Sequence, residues 1–429
     1  MNILKITLIA VILILPVLVL AQEAETPPDP SESQNADSLS PDSSQGAGYV
    51  YPLSPERKEL LISYSRFKNI WRFARFGIGV VILLVVLYTG LSARFRNWAE
   101  SVFKKKFFIY LFYFLLLTVF LFVVNLPFDY YRGFLIEHEY GFSNQSSGEW
   151  LLDSLKWEVV TFIFSFIVIL FFFWLINRFR RWWLYLSLGA IPFLIFIMLI
   201  YPVVITPLFN KFEPLKDKYL ASEMTALAER AGIDDPDIFE VDASKRSEKL
   251  NAYFVGLLGT KRIVLYDTII KNFTTEELKF VMAHEIGHYL MNHIWYGILI
   301  AFVMILISVW LLDKILPGII RRHSRRLGFS RLGDIAALPM IFLFVTVFSF
   351  VTQPATNLAS RVMEYDADRF GMELSGVTDE TAETAFDKLS AANLSDPDPS
   401  PIIEYWFYDH PSGKKRIAAV KRIYRELHE

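Results

Sequence analysis

The stretch His284-Glu285-Ile286-Gly287-His288 sets two imidazoles and a carboxylate at a spacing that can do chemistry. On a helix, residues four apart lie one turn apart on a single face, so His284 and His288 would present their rings together. Two neutral imidazoles so placed can hold one Zn²⁺, and Glu285 beside them can take a proton from an attacking water. The motif is short, and in a chain of this length it arises by accident on the order of once in a hundred. Its surroundings must decide. A hydrolytic zinc centre takes three protein ligands and keeps one position open. The chain has no cysteine, so a third ligand has to be a histidine or a carboxylate.

His293 is the nearest candidate. It lies five residues past His288 without the glycine of H-E-x-x-H-x-x-G-x-x-H, and reads as a histidine at a helix-to-membrane junction. Glu364, within Ser360-Arg361-Val362-Met363-Glu364-Tyr365-Asp366-Ala367-Asp368, is the better candidate. It follows the last apolar segment directly and falls on the same membrane side as the histidines. Asp368 is one helical turn further on the same face, placed to orient a ligating imidazole. The alternative for this acid-rich stretch is a solvated helix face.

The elements that must position these residues belong to a membrane protein. Of 429 residues, 53% are hydrophobic and 16% aromatic, too apolar for an ordinary soluble chain. The net charge of −2 gives no reason to expect a nucleic-acid partner. Six internal apolar segments, about Gly77–Ala93, Phe107–Pro127, Trp157–Ile176, Trp183–Thr206, His293–Leu316 and Ile335–Gln353, each have the length of a membrane-crossing helix. Lys5 followed by the apolar run Ile6–Leu20 and Ala21 reads as a secretory signal peptide or as an uncleaved first span. The basic loops Arg94–Lys106, Arg178–Arg181 and Lys314–Arg331 should stay inside. The motif and the C-terminal region then face the non-cytoplasmic side.

The expected fold is mostly α: a polytopic helical membrane protein enclosing a chamber, with a zincin-like α/β catalytic part. Residues 1–21 form the signal or first span, and 22–53, rich in Ser, Pro, Asp and Glu, a disordered linker. A membrane part with four spans follows over 54–206, beginning with an amphipathic lead-in to about Arg75. The catalytic part with the motif covers 207–292, the last two spans 293–353, and the C-terminal part with the third ligand 354–429. Within 207–292 the pattern gives a helix over Leu220–Ala231 and short strands at Ile238–Val241 and Arg262–Tyr266. Thr274-Thr275-Glu276-Glu277 forms a capping box, opening a helix that carries the motif and runs on into the span at His293. Glu137-His138-Glu139 reads as an acidic loop cap rather than a second metal site.

Several blocks, in this order, resemble the CAAX prenyl protease 1 family of membrane zinc metallopeptidases, gluzincins of the type H-E-x-x-H…E. They are Glu137–Phe142, Thr206–Phe212, Ser244-Lys245-Arg246-Ser247 with Asn251-Ala252-Tyr253, and Arg262–Leu265, followed by the motif, Ser360–Asp368, and His410-Pro411 with Arg416. The resemblance runs from about Leu53 to Ile417. It implies a seven-helix enzyme around a chamber, with one Zn²⁺ per chain held by His284, His288 and Glu364. It also implies a supporting role for Asp368, and an edge strand at Asn251, Ala252 and Tyr253 that pairs with substrate backbone. His410 and Arg416 match positions near the catalytic centre, His410 as a donor to the developing oxyanion and Arg416 as a partner of Asp368.

The leading expectation is a zinc endopeptidase of the bacterial inner membrane. It would cut peptides or unfolded envelope proteins on the non-cytoplasmic side, with Glu285 as general base and no obligate protein partner. Prenylated substrates fit poorly, since prenylation is cytosolic. A membrane chaperone with a structural zinc is the alternative, which the intact Glu285 argues against. A transporter is a third, opposed by the expectation that the apolar segments bury no charge.

Overall fold

The computed structural model describes residues 55–256 and 261–429, so the N-terminal signal or span and the linker over 22–53 lie outside the described residues. Among the described residues six helices are long and apolar enough to cross a membrane. They are α1 (Pro55–Tyr88), α3 (Lys106–Tyr130), α4 (Ser147–Arg178), α5 (Trp182–Ile200), α8 (His293–Leu327) and α9 (Leu338–Ser375). Buried Leu, Phe, Ile and Ala from these helices form one core, including Phe114, Leu117, Phe173, Leu186, Val309 and Phe342.

The helices outrun the apolar segments. The expected lead-in and first span are one helix of 34 residues, about 50 Å long. It stops early, at Tyr88, because Gly90 takes φ 69° and starts the short helix α2 (Leu91–Val102). The last span continues past Gln353 and Pro354 without a break, for 38 residues in all, and its C-terminal half carries Glu364 and Asp368. Fixed main-chain hydrogen bonding along one helix thus delivers a polar cluster directly from a membrane span.

The three basic loops meet at one end of the bundle. Arg96 pairs with Asp334 and donates to the Gly328 carbonyl, Asn177 donates to the Gly333 carbonyl at 3.0 Å, and Arg326 lies over the Tyr88 ring. At the opposite end Glu137 is buried and accepts from Tyr64 at 3.0 Å, with Arg132 and Lys249 beside it. It is therefore more than a loop cap: it joins α1 to Lys249 in the catalytic part. Glu158, inside α4, is 9% exposed, with Oε1 lacking a hydrogen-bond partner. The expectation of charge-free spans was thus too strong, because α4 at Glu158 faces into the protein.

The catalytic part is a four-stranded sheet packed on helices. β1 (Phe212–Pro214), β2 (Asp237–Val241), β3 (Ala252–Val255) and β4 (Arg262–Tyr266) take the order β1-β2-β4-β3, which leaves β3 on an edge. β2 and β4 are parallel; the other pairs are antiparallel. One sheet face, with Ala252, Ile263 and Leu265, packs against α6 (Lys218–Arg230) and α7 (Thr275–Leu290). The short β1 escaped the sequence reading because Phe-Glu-Pro offers too little alternation. The C-terminal helices α10 (Asp379–Ala392), α11 (Pro401–Phe407) and α12 (Gly413–His428) close over this layer.

Helix α7 starts at the expected capping box: Thr274 Oγ1 accepts from the Glu277 amide, and Glu277 accepts from the Thr274 amide at 2.7 Å. Its far end departs from expectation. Asn292 adopts φ 61°, a left-handed conformation Asn tolerates better than most residues, and a new helix begins at His293. Glu277, 3% exposed, also accepts from Lys388 of α10 at 2.8 Å. Glu277→Ala removes one arm of the capping box and the carboxylate partner of Lys388, which keeps the Asn272 carbonyl. Melting in detergent should show a loss of about 1–2 kcal/mol; an unchanged midpoint would show that this arm does not hold α7.

Candidate active site

Helices α7 and α9 cross where both carry glycine. A Cβ on Gly371 would lie 3.3 Å from the backbone nitrogen of His284, and one on Gly287 would lie 3.0 Å from the Phe370 ring. This close approach sets Glu364 of α9 against both histidines of α7. His284 Nε2 is 3.1 Å from His288 Nε2 and 3.3 Å from Glu364 Oε2, and His288 Nε2 is 3.2 Å from Glu364 Oε1.

With one ligand atom taken from each residue, the three lie within 4.8 Å of one another, a cluster that a zinc ion can draw together. Bonds of about 2.0–2.1 Å in a tetrahedron put neighbouring ligand atoms about 3.3 Å apart. Glu364 is 4% exposed, and its Oε2 takes no hydrogen bond, with the Arg416 guanidinium 3.5 Å away. A buried carboxylate oxygen so loosely met is open to a metal cation. The two imidazoles and one carboxylate are the donor set expected of a hydrolytic zinc site.

Each histidine is fixed through its other nitrogen. His284 Nδ1 lies 2.9 Å from Asp368 Oδ1, and Arg416 grips Asp368 with Nε at 2.9 Å and Nη2 at 2.5 Å. Burial alone would lower His284, but Asp368 and Glu364 beside it outweigh that and push it up to about 9. The same negative field favours a metal cation. His288 Nδ1 lies 2.8 Å from His293 Nδ1. His293 is not among the clustered ligands, as its spacing indicated, but it is buried against one of them rather than standing at a plain membrane junction. The break at Asn292 swings it there, and no sequence pattern announces that turn.

His410, on the loop before α12, is 46% exposed, with Nε2 at 3.4 Å from Glu364 Oε1. Its Nδ1 is 2.7 Å from Asp409 Oδ1. Burial pulls the His410 ring down, but Glu364 and Asp409 outweigh it and hold the proton on. Asp409 was missed in the sequence; the only signal was an acid adjacent to a candidate histidine, and loop neighbours point either way. Glu285 is half-buried beside His284, close enough for its charge to act on Arg416. Ala252 and Tyr253 lie in the edge strand β3, with Asn251 just before it, its carbonyl accepting from the Tyr266 amide. Phe254 of β3 packs on Tyr289, one residue past His288, at 5.0 Å between ring centres.

Comparison with known proteins agrees with this geometry. The profile of peptidase family M48 matches residues 214–424, and that of the CAAX prenyl protease N-terminal domain, with five membrane helices, matches 55–211. The metalloprotease YhfN of Bacillus subtilis is 33% identical over 85% of each chain. CAAX prenyl protease 1 of Saccharomyces cerevisiae is 30% identical over 88% of this chain and 82% of its own. The crystal structure of S. mikatae Ste24p superposes with a TM-score of 0.73 at 26% identity, covering 97% of this chain and 96% of the other.

Fold and site together define a membrane-embedded metalloprotease that uses zinc, and the chaperone alternative is not favoured. The chain belongs to peptidase family M48 and, within it, to the CAAX prenyl protease 1 family.

If His288 binds metal through Nε2, its proton sits on Nδ1 and is donated to His293. His293→Ala removes that acceptor. Zinc affinity, measured by competition with a chromophoric chelator, should fall about 10–100-fold; wild-type affinity would show that the contact orients nothing.

Proposed function

We propose that His284, His288 and Glu364 hold the zinc and that Glu285 is the general base of peptide hydrolysis. The observation that carries this reading is the cluster of His284, His288 and Glu364, with the two Nε2 atoms 3.1 Å apart and each within 3.3 Å of one Glu364 carboxylate oxygen, and Glu285 next to it on the same helix. Zn²⁺ would supply Lewis-acid polarisation of the scissile carbonyl and a water of lowered pKa. Glu285 accepts the proton of the attacking water and passes it to the leaving amine. His410, kept protonated by Glu364 and Asp409, donates to the oxyanion that develops on the scissile carbonyl. Arg416 holds Asp368, and Asp368 holds the Nδ1 proton of His284, so that Nε2 keeps its lone pair for the metal. Asn251, Ala252 and Tyr253 lie where the backbone of an extended substrate could pair with the free edge of β3, giving affinity with little sequence selectivity.

The division into a membrane part over 54–206, a catalytic part over 207–292, a second pair of spans over 293–353 and a C-terminal part over 354–429 belongs to the same reading. The placement is the non-cytoplasmic face of a bacterial inner membrane. Three basic loops gathered at the bundle end remote from the zinc triangle support it. Some 30 residues of α8, about 48 Å, separate His293 from its Arg-rich end. Peptides and unfolded envelope proteins are then the substrates, whereas the yeast relative carries prenyl processing in its name.

Glu285→Gln should retain zinc while losing a factor of about 10²–10⁴ in peptide turnover. Full activity with zinc bound would remove Glu285 as the base. A phosphatase fused at the C-terminus, active only outside the cytoplasm, should be active; a silent, stably made fusion would reverse the orientation.

A further inference from the structure

Four blocks that carry the family resemblance meet away from the zinc triangle. Thr206–Phe212, Ser244–Ser247, Asn251–Tyr253 and Arg262–Leu265 each contribute to the wall of a cavity of about 660 Å³. It lies against the sheet face turned away from α7. Side chains alternate across a strand, so Tyr253, Val264 and Phe239 face it while Ala252, Ile263 and Leu265 face α7. The first turns of α4 form the opposite wall.

The chemistry of the wall is uneven. Its acids are already engaged. Asp153 takes Lys156 at 2.9 Å and Gln145 at 2.7 Å, Glu149 caps α4 through the Ser146 amide, and Asp242 accepts from the Lys211 amide at 2.7 Å. Its donors outnumber those acids and are only loosely met. Arg246 Nε is buried with no acceptor, although Nη2 reaches Asn210 at 2.5 Å and Nη1 faces Asp153 at 3.6 Å. Arg262 has its nearest acid, Asp237, at 3.9 Å and lies over the Phe239 ring. Lys245 adds an exposed ammonium. A surplus of fixed cationic donors above aromatic rings calls for an anionic oxygen ligand with apolar neighbours.

The cavity also reaches the edge strand. Tyr253 and Val255 of β3 line it, while Phe254 between them points the other way and packs on Tyr289 beside the motif. A peptide paired along β3 would alternate in the same manner, sending every second residue towards the metal helix and the intervening ones into the cavity. We propose that this cavity is a substrate subsite for a carboxylate, carried by an acidic side chain or by the C-terminus of the peptide. The inference rests on the proteolytic reading with β3 as the receiving edge.

The test uses the full-length protein in detergent, wild type and the double variant Lys245→Glu/Arg262→Glu. Both side chains are partly or fully exposed, and zinc content checks that the variant is intact. Matched fluorogenic peptides carry Glu or Lys at successive positions around the scissile bond, each with a free or an amidated C-terminus. Wild type should prefer a carboxylate-bearing peptide by roughly ten-fold in kcat/KM, and the variant should lose or reverse that preference, mainly through KM. A preference that follows the side chain identifies an acidic residue as the source; one abolished by amidation identifies the terminus. Identical preferences in both proteins would overturn the proposal. So would competition by short-chain anionic phospholipid with no peptide preference, which would mark a headgroup site. If Glu285→Gln cleaved every peptide at the wild-type rate, the base assignment would fail, independently of the shift in preference.

Discussion

How closely two helices can cross is the constraint on which the zinc centre depends. Gly371 of α9 sits against the backbone of His284, and Gly287 of α7 against Phe370. A Cβ at Gly371 would press on the main chain that carries a ligand, where no rotamer can relieve the contact. Glu364 lies two turns before Gly371 on α9, so the helix separation fixed at the glycines is passed to the carboxylate almost unchanged. Each histidine Nε2 already stands within 3.3 Å of one Glu364 carboxylate oxygen. A shift of the size that a methyl group would force would part them.

Charge explains why the centre remains folded around so many buried ions. Asp368 is fully buried, and such an ion persists only when paired with good geometry. The two-toothed grip of Arg416 supplies that geometry. Glu364, Asp368 and Arg416 together leave one negative charge, and Glu285 adds a second. A dication in the triangle brings that sum to zero. The guanidinium settles one carboxylate, and the metal site draws on the other two.

Much of this was legible in the sequence, for local reasons. Helical spacing joined His284 to His288 and Glu364 to Asp368, and the capping box at Thr274 and Glu277 marked the start of the metal helix. Apolar length and loop charge put Glu364 on the side of the motif. What could not be read depends on single backbone conformations or tertiary contacts. The left-handed Asn292 ends α7 and brings His293 under His288, and Asn alone does not predict that conformation. Asp409 orients His410 only because the loop before α12 turns its carboxylate inward. The apolar run of α4 gave no sign that Glu158 is buried, and only the packing of that helix shows which way it faces.

Two membrane helices terminate or pass through the centre, so the bundle and the metal cannot be independent. α8 begins with His293 in contact with His288, and α9 rises out of the bundle to present Glu364. α1 is tied through Tyr64 and Glu137 to Lys249 of the catalytic part. A metal bound by residues from two elements adds its binding free energy to their docking. Here one of those elements is a membrane span and the other abuts the start of another. Zinc would therefore stabilise the seating of α8 and α9 as well as the local fold. Conversely, any change that tilts α9 at Pro354, midway between its apolar half and Glu364, acts on the ligand triangle through a rigid rod. The membrane domain is in this sense part of the active site, since its helices set the ligand distances that the chemistry requires.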